Sequence, residues 1–229
     1  MRPLTLWRYE ASRVGWTAAL GPPLAIALGT AAALVNPLAQ DTARILLGGL
    51  EMVIPLAAAV ACASIVGHDP AVELQLSAPT QYRSTVLRRV TVTLGWTAAV
   101  AAATAVVLIA TGWWERWPAN HGPFVGQLTW IAPTLGLSGL GFAAGCLFRS
   151  PAAAGALVTT VWAIQQFFGD AAQRSRPGRL LYLFATTRGS EPRDWTANRL
   201  TLAGAGAGLI VLALIVLGRK ERLIGEEDE

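Results

Sequence analysis

The 229-residue chain is 53% hydrophobic and only 14% charged, with a formal net charge of +4. A soluble domain usually has about 25% charged residues, so this composition excludes an ordinary soluble globular protein. The basic residues flank apolar stretches instead of forming a patch, which excludes a nucleic-acid-binding protein and indicates membrane topology signals.

Hydrophobic residues gather into six stretches, each close to the roughly 20 residues that cross a bilayer as a helix. They cover residues 16–35, 45–67, 90–112, 124–148, 151–169 and 199–218. The first stretch is longer than the apolar region of a signal peptide, and no clean cleavage site follows it. The sequence therefore predicts an all-α integral membrane protein with six transmembrane helices, folded as one domain over residues 1–229.

The distribution of basic residues predicts which loops face the cytoplasm, because short cytoplasmic loops are enriched in Lys and Arg. If both termini are cytoplasmic, ten basic residues lie in the inner segments: Arg2, Arg8, Arg13, Arg83, Arg88, Arg89, Arg149, Arg219, Lys220 and Arg222. The short outer loops then contain only Arg44 and Arg116. Six arginines between the fifth and sixth spans depart from this pattern: Arg174, Arg176, Arg179, Arg188, Arg193 and Arg199.

Polar residues inside the spans are few. Glu51 lies about two turns inside the second span, and a charge at membrane depth indicates function by default. Two interpretations stay open: Glu51 lines a translocation path or pairs across the bundle, or it reaches the outer interface near the N-terminal end of its helix. Gln165 and Gln166 are adjacent and so face different directions. We expect at least one of them to hydrogen-bond another helix, and both are candidates for the translocation path.

A polar segment, "GHDPAVELQLSAPTQYRSTVLRR", separates the second and third spans at residues 67–89. Asp69 and the proline after it predict a helix start, and the next proline ends the helix after about eight residues. In this short helix Leu74 faces away from Leu76. One side can thus lie on the bundle while the other enters a groove on a cytoplasmic partner; the alternative is a surface helix without a partner.

Small residues in the fourth and sixth spans predict close helix packing. The pairs Gly141/Gly145 and Gly204/Gly208 have the spacing that lets two helix backbones approach each other. Packing within one bundle is the favoured interpretation, and a dimer interface is the alternative.

The segment 170–198 contains "GRLLYLFATT" (178–187), an apolar run of about half a span. Ten residues cannot cross a bilayer as a helix, but they can lie at the interface or dip in and return. Two interpretations stay open: an amphipathic outer cap over the bundle, or a basic vestibule that handles an anionic or amphipathic substrate.

Motifs for catalysis and metal binding are absent from the sequence. No G-x-x-x-x-G-K-[ST] phosphate loop, H-E-x-x-H pair or G-x-S-x-G elbow occurs. We therefore expect no ATPase activity, no catalytic residue, no metal and no cofactor in this chain. Cys62 and Cys146 both fall inside spans and are interpreted as packing residues.

The stretches "EMVIPLAAAVACASIVGHD" (51–69) and "HDPAVELQLSAPTQYRSTVLRR" (68–89) resemble the permease subunits of type-2 ABC exporters, the small six-span bacterial kind. The end of the chain, "YLFATT…WTANRLTLAGAGAG…GRKERLIG", resembles them too. The resemblance implies a coupling helix that docks on a separate ATPase subunit, which holds ATP and Mg²⁺. By position, the docking residues are Asp69, Glu73, Leu74, Gln75, Leu76 and Ser77.

The resemblance also implies a short amphipathic helix over residues 4–13 and an outer re-entrant element at 178–187. It implies a second permease subunit, identical or not, and a bacterial cytoplasmic membrane with both termini cytoplasmic. The second coupling loop matches only "FRSP" (148–151), which is too short to assign contacts. The expected function is ATP-driven export of a hydrophobic or amphipathic substrate. The alternatives are a non-transporting membrane scaffold or anchor subunit, and an intramembrane enzyme.

Overall fold

The computed structural model describes residues 15–35, 38–67, 82–117, 119–188 and 194–225, and all regular secondary structure within them is helical. The helices are α1 (Trp16–Leu34), α2 (Ala39–Gly48), α3 (Ile54–Gly67), α4 (Tyr82–Ala110), α5 (Leu128–Phe148), α6 (Pro151–Phe167), α7 (Gly169–Gln173), α8 (Arg176–Leu180) and α9 (Trp195–Gly225). A π-helical turn, Gly49–Val53, joins α2 to α3 without a break, and a 3₁₀ turn, Val125–Gln127, leads into α5.

Within the described residues, four helical stretches are long and apolar enough to cross a membrane: Asp41–Val66, Tyr82–Ala110, Val125–Phe148 and Trp195–Gly218. This confirms the predicted all-helical class and membrane character. The other two predicted spans also coincide with helices, but these are shorter: the apolar part of α1 covers Ala18–Leu34, and α6 has 17 residues.

Three helical stretches begin earlier than their predicted spans. α2 starts at Ala39 instead of residue 45, α4 starts at Tyr82 instead of residue 90, and α9 starts at Trp195 instead of residue 199. The prediction followed hydropathy, which falls at polar residues, whereas helical hydrogen bonding continues through them. For α9 this matters, because Arg199 lies inside the helix and not in the preceding loop to which the sequence assigned it.

The hairpin between α5 and α6 follows from local chemistry. Arg149 ends α5 in the left-handed conformation, with φ of 51°. Ser150 then caps α6 by accepting a hydrogen bond from Ala153 N at 3.3 Å, and Pro151 occupies the first helical position. The chain therefore reverses within two residues.

α5 lies at the centre of the bundle, with its most extensive contacts to α3 on one side and α9 on the other. Glycines allow this approach. A Cβ added at Gly145 would lie 2.6 Å from Ala63 O in α3, and one at Gly139 would lie 2.8 Å from Gly206 Cα in α9. The pair Gly141/Gly145 thus packs within the bundle, whereas Cβ atoms at Gly204 and Gly208 would meet open space.

Candidate functional site

Glu51 lies in the π-helical turn and is 0% exposed. Its carboxylate accepts hydrogen bonds from Thr186 N at 2.9 Å, from Thr187 N at 2.8 Å and from the Thr187 hydroxyl. Its fourth donor is the Arg199 guanidinium, which forms a salt bridge with it. The side chain is directed into the bundle and does not reach the surface, and π-helical turns of this kind often occur at functional sites.

Arg199 is the partner that sequence reasoning missed. Its side chain is 0% exposed and also donates to Leu183 O at 2.9 Å and to the Thr186 hydroxyl at 2.8 Å. One signal could have identified it, because a charge buried at membrane depth needs an opposite charge. Arg199 is the first residue of the sixth predicted span, and Glu51 lies near the start of the second predicted span. Both starts are predicted at the same end of the bundle. We call Glu51, Thr186, Thr187 and Arg199 the polar junction.

Residues 182–187 form a run of six consecutive buried residues that belong to no helix. Non-helical backbone is tolerated at membrane depth only where protein or water satisfies its polar groups. Here side chains do so. Trp117 Nε1 donates to Thr186 O at 3.1 Å, and Arg44 Nε donates to Thr187 O at 3.1 Å. Asn198 Nδ2 donates to Tyr182 O at 2.9 Å. Residues 182–187 of the run predicted at 178–187 are therefore buried in the protein, whereas residues 178–180 belong to α8 and Leu181 is exposed.

The two glutamines of α6 contact different elements, as their adjacency predicts. Gln165 Oε1 accepts from Leu183 N at 2.8 Å, so this residue holds the 182–187 segment. Gln166 Nε2 donates to Met52 Sδ at 3.0 Å, which ties α6 to the π-helical turn beside Glu51. Both are thus near the polar junction, and their role in a translocation path stays a prediction.

Aromatic side chains pack beside the polar junction. Trp195 Nε1 donates to the Thr186 hydroxyl at 3.1 Å, and the Trp195 ring stacks on His121 with centroids 3.7 Å apart. Burial raises the pKa of the Tyr182 phenol, and the negative charge of Glu51 acts in the same direction. The phenol therefore stays neutral at physiological pH. The salt bridge is shielded from water because Glu51 and Arg199 are both fully buried.

The polar junction holds distant parts of the chain together through a salt bridge. The Glu51–Arg199 pair joins the π-helical turn to α9, and both side chains hold the 182–187 segment between them. Separating the two partners of a buried ion pair would leave each charge uncompensated, which is costly. We therefore expect the π-helical turn, α9 and the 182–187 segment to move together. No group of three or more His, Cys, Asp or Glu side chains suited to a metal occurs in the part of the chain that the structure describes.

The predicted ATPase-docking residues Asp69, Glu73, Leu74, Gln75, Leu76 and Ser77 lie outside the described residues, as does the predicted helix over residues 4–13. The described residues on either side of the docking segment are Gly67, which ends α3, and Tyr82, which begins α4. Gly67 lies at the opposite end of α3 from the π-helical turn that contains Glu51.

No protein-family model, no curated protein and no solved structure matches the chain.

Proposed function

We propose that the chain is the permease subunit of an ABC exporter, with six transmembrane helices in a bacterial cytoplasmic membrane. Both termini and the loop 68–81 face the cytoplasm, and the polar junction lies toward the outside. The subunit works with a second permease and with separate ATPase subunits that bind ATP and Mg²⁺. Its substrate is hydrophobic or amphipathic.

One observation carries the proposal: the buried non-helical segment at 182–187, between the last two long apolar helices. The resemblance implies a re-entrant element at this position, and the segment is buried among side chains from the π-helical turn, α6 and α9. An apolar half-span lying on a membrane surface would instead expose one face. The segment contacts Glu51, at the opposite end of α3 from Gly67, the last described residue before the stretch that resembles a coupling helix.

The continuous helix formed by α2, the π-helical turn and α3 offers a mechanical link between the two ends. Glu51 and Gly67 are 16 residues apart, which is about 24 Å along a helix at 1.5 Å per residue. When the ATPases close, a push on the loop after Gly67 would travel along α3 to Glu51. Glu51 contacts both Arg199 and the 182–187 segment. The push would therefore shift these elements together and open or close the outer side of the permease.

Co-purification with an ATPase tests the proposal. We expect the affinity-tagged chain, expressed with the ABC ATPase encoded nearest to its gene, to recover that ATPase and to stimulate its ATP turnover in lipid. Leu74→Asp places a charge in an apolar groove without a partner, which should weaken the complex about ten- to a hundredfold. Glu73→Arg should also weaken it, if Glu73 meets a basic residue, because attraction becomes repulsion.

The control is Leu38→Asp, the same change at an exposed leucine before the start of α2, on the opposite end of the bundle. It should leave both the complex and the ATP turnover unchanged. If no ATPase is recovered, or if Leu74→Asp and Glu73→Arg bind and stimulate it as the native chain does, the exporter proposal is wrong. A non-transporting membrane scaffold would then be the better interpretation.

A further inference from the structure

A continuous groove runs along α1 where it packs beside the helix formed by α2, the π-helical turn and α3. Its upper part is a cavity of about 730 Å³ that reaches Arg44 and Arg188. Its lower part, of about 540 Å³, reaches Trp16. Ala25, Leu28 and Val53 line both parts, so one elongated ligand can occupy them together.

The groove is longer than the hydrocarbon part of one bilayer leaflet. Along α1 its lining extends from Trp16 to Ala32, 16 residues apart, or about 24 Å at 1.5 Å per residue. A hydrocarbon core of about 30 Å gives each leaflet about 15 Å. An acyl chain of ordinary length and the glycerol above it therefore fit along α1.

The walls of the groove are apolar and open to the membrane. Leu28 is 69% exposed and Val53 is 37% exposed, and the lower part is lined by apolar residues and a glycine. In a bilayer such a surface is covered by hydrocarbon. The groove alone would accept any lipid tail, so its selectivity depends on the upper end.

Two arginines give the upper end a positive charge. Arg44 Nε donates to Thr187 O at 3.1 Å and Arg188 Nη1 donates to Gln166 O at 2.8 Å, so the backbone orients both guanidinium groups. Among the described residues neither forms an ion pair with a carboxylate. Asp41 also lines the cavity, and the two arginines outweigh it. Their remaining N–H groups can bind phosphate oxygens in the forked geometry that arginine favours.

We infer that this groove binds a phospholipid with an anionic headgroup. The phosphate lies between Arg44 and Arg188, and one acyl chain follows α1 past Leu28 and Val53 toward Trp16. Basic pockets between transmembrane helices recognise anionic headgroups by this combination of charge and apolar length. The inference does not depend on the exporter proposal, because it concerns a lipid site on the chain itself.

Native mass spectrometry of the purified chain in detergent, titrated with single phospholipids, tests the inference. We expect dioleoyl phosphatidylglycerol to bind at least tenfold more tightly than zwitterionic dioleoyl phosphatidylcholine. Arg44→Gln and Arg188→Gln should each weaken phosphatidylglycerol binding about fivefold, because a basic residue near a lipid surface contributes roughly that factor. Arg176→Gln, which removes an exposed arginine outside the groove, is the control and should have no effect.

The apolar part of the site needs a separate variant. Val53→Phe fills the junction of the two cavities and should weaken binding of both lipids, whereas Val106→Phe, at an exposed position on α4, should not. Circular dichroism checks that each variant keeps its helix content. Equal binding of the two lipids, binding unaffected by Val53→Phe, or displacement of phosphatidylglycerol by millimolar inorganic phosphate would each overturn the inference.

Discussion

Replacing Glu51 by glutamine perturbs the polar junction most directly, since it removes the charge and keeps the shape. The carboxylate offers two acceptor oxygens to four donors: two backbone N–H groups, the Thr187 hydroxyl and the Arg199 guanidinium. A glutamine amide has one acceptor oxygen, and its NH₂ group would face donors. The substitution therefore leaves Arg199 charged, buried and without a counterion.

The expected loss of stability is large. Breaking a buried ion pair by removing one partner costs about 3–5 kcal/mol, most of it from the charge left behind. Placing a lone charged side chain at the centre of a bilayer has a similar free-energy cost, about 3 kcal/mol. Removing that charge as well, with Arg199→Met in the Glu51→Gln background, should recover at least about 2 kcal/mol relative to the sum of the two single changes.

The assay is unfolding of the purified chain in mixed micelles by increasing SDS, followed by tryptophan fluorescence. Trp117 and Trp195, two of the nine tryptophans of the chain, both donate to Thr186, so part of the fluorescence change reports on the polar junction. Far-ultraviolet circular dichroism follows the helices independently. The control is Asp170→Asn, the same chemical change at an exposed carboxylate, which should alter the free energy of unfolding by less than about 0.5 kcal/mol.

Two results would refute this reasoning. If Glu51→Gln costs less than about 1 kcal/mol, the junction does not stabilise the fold. If the double variant loses as much stability as the two single variants added together, Glu51 and Arg199 do not act as a pair.

Two further predictions concern topology and helix packing. In a cysteine-free background, Ala171→Cys should react with an impermeant thiol reagent on intact cells, and a cysteine added after Glu229 should not; the reverse pattern would contradict the proposed orientation. Gly139→Val should destabilise the chain by about 1–3 kcal/mol in the same SDS titration, because its side chain would collide with the Gly206 backbone. Gly204→Val, where a Cβ meets open space, should change stability little, and equal effects of the two would rule out the close α5–α9 contact.

Three polar residues at or near the candidate site could be selected from the sequence, but their partners could not. Glu51, Gln165 and Gln166 were conspicuous because ionisable and amide groups are rare inside apolar spans. Arg199 was assigned to the arginine-rich outer segment, since hydropathy placed the start of the last span at that residue. In the structure α9 begins four residues earlier, and the arginine is directed into the bundle.

For the 178–187 run too, the sequence predicted only part of what the structure shows. Its length excluded a transmembrane helix, and the sequence left a surface location and a dip into the membrane as alternatives. Only the contacts of Gln165, Asn198 and Arg199 with its backbone show that residues 182–187 are buried. The coupling helix at 69–77 stays a prediction, because it lies outside the described residues.

The sequence by itself determined the helical class of this protein, its membrane character and the approximate position of its longest helices. All three depend on local properties: apolar residues partition into lipid, and helical hydrogen bonds join residues four apart. Only the tertiary structure decided which polar groups meet. Glu51 and Arg199 are 148 residues apart in the chain, and their contact exists because α5 brings α3 and α9 together through glycines that let the helix backbones approach. A local sequence pattern cannot predict this contact, because the contact depends on how all the helices pack together.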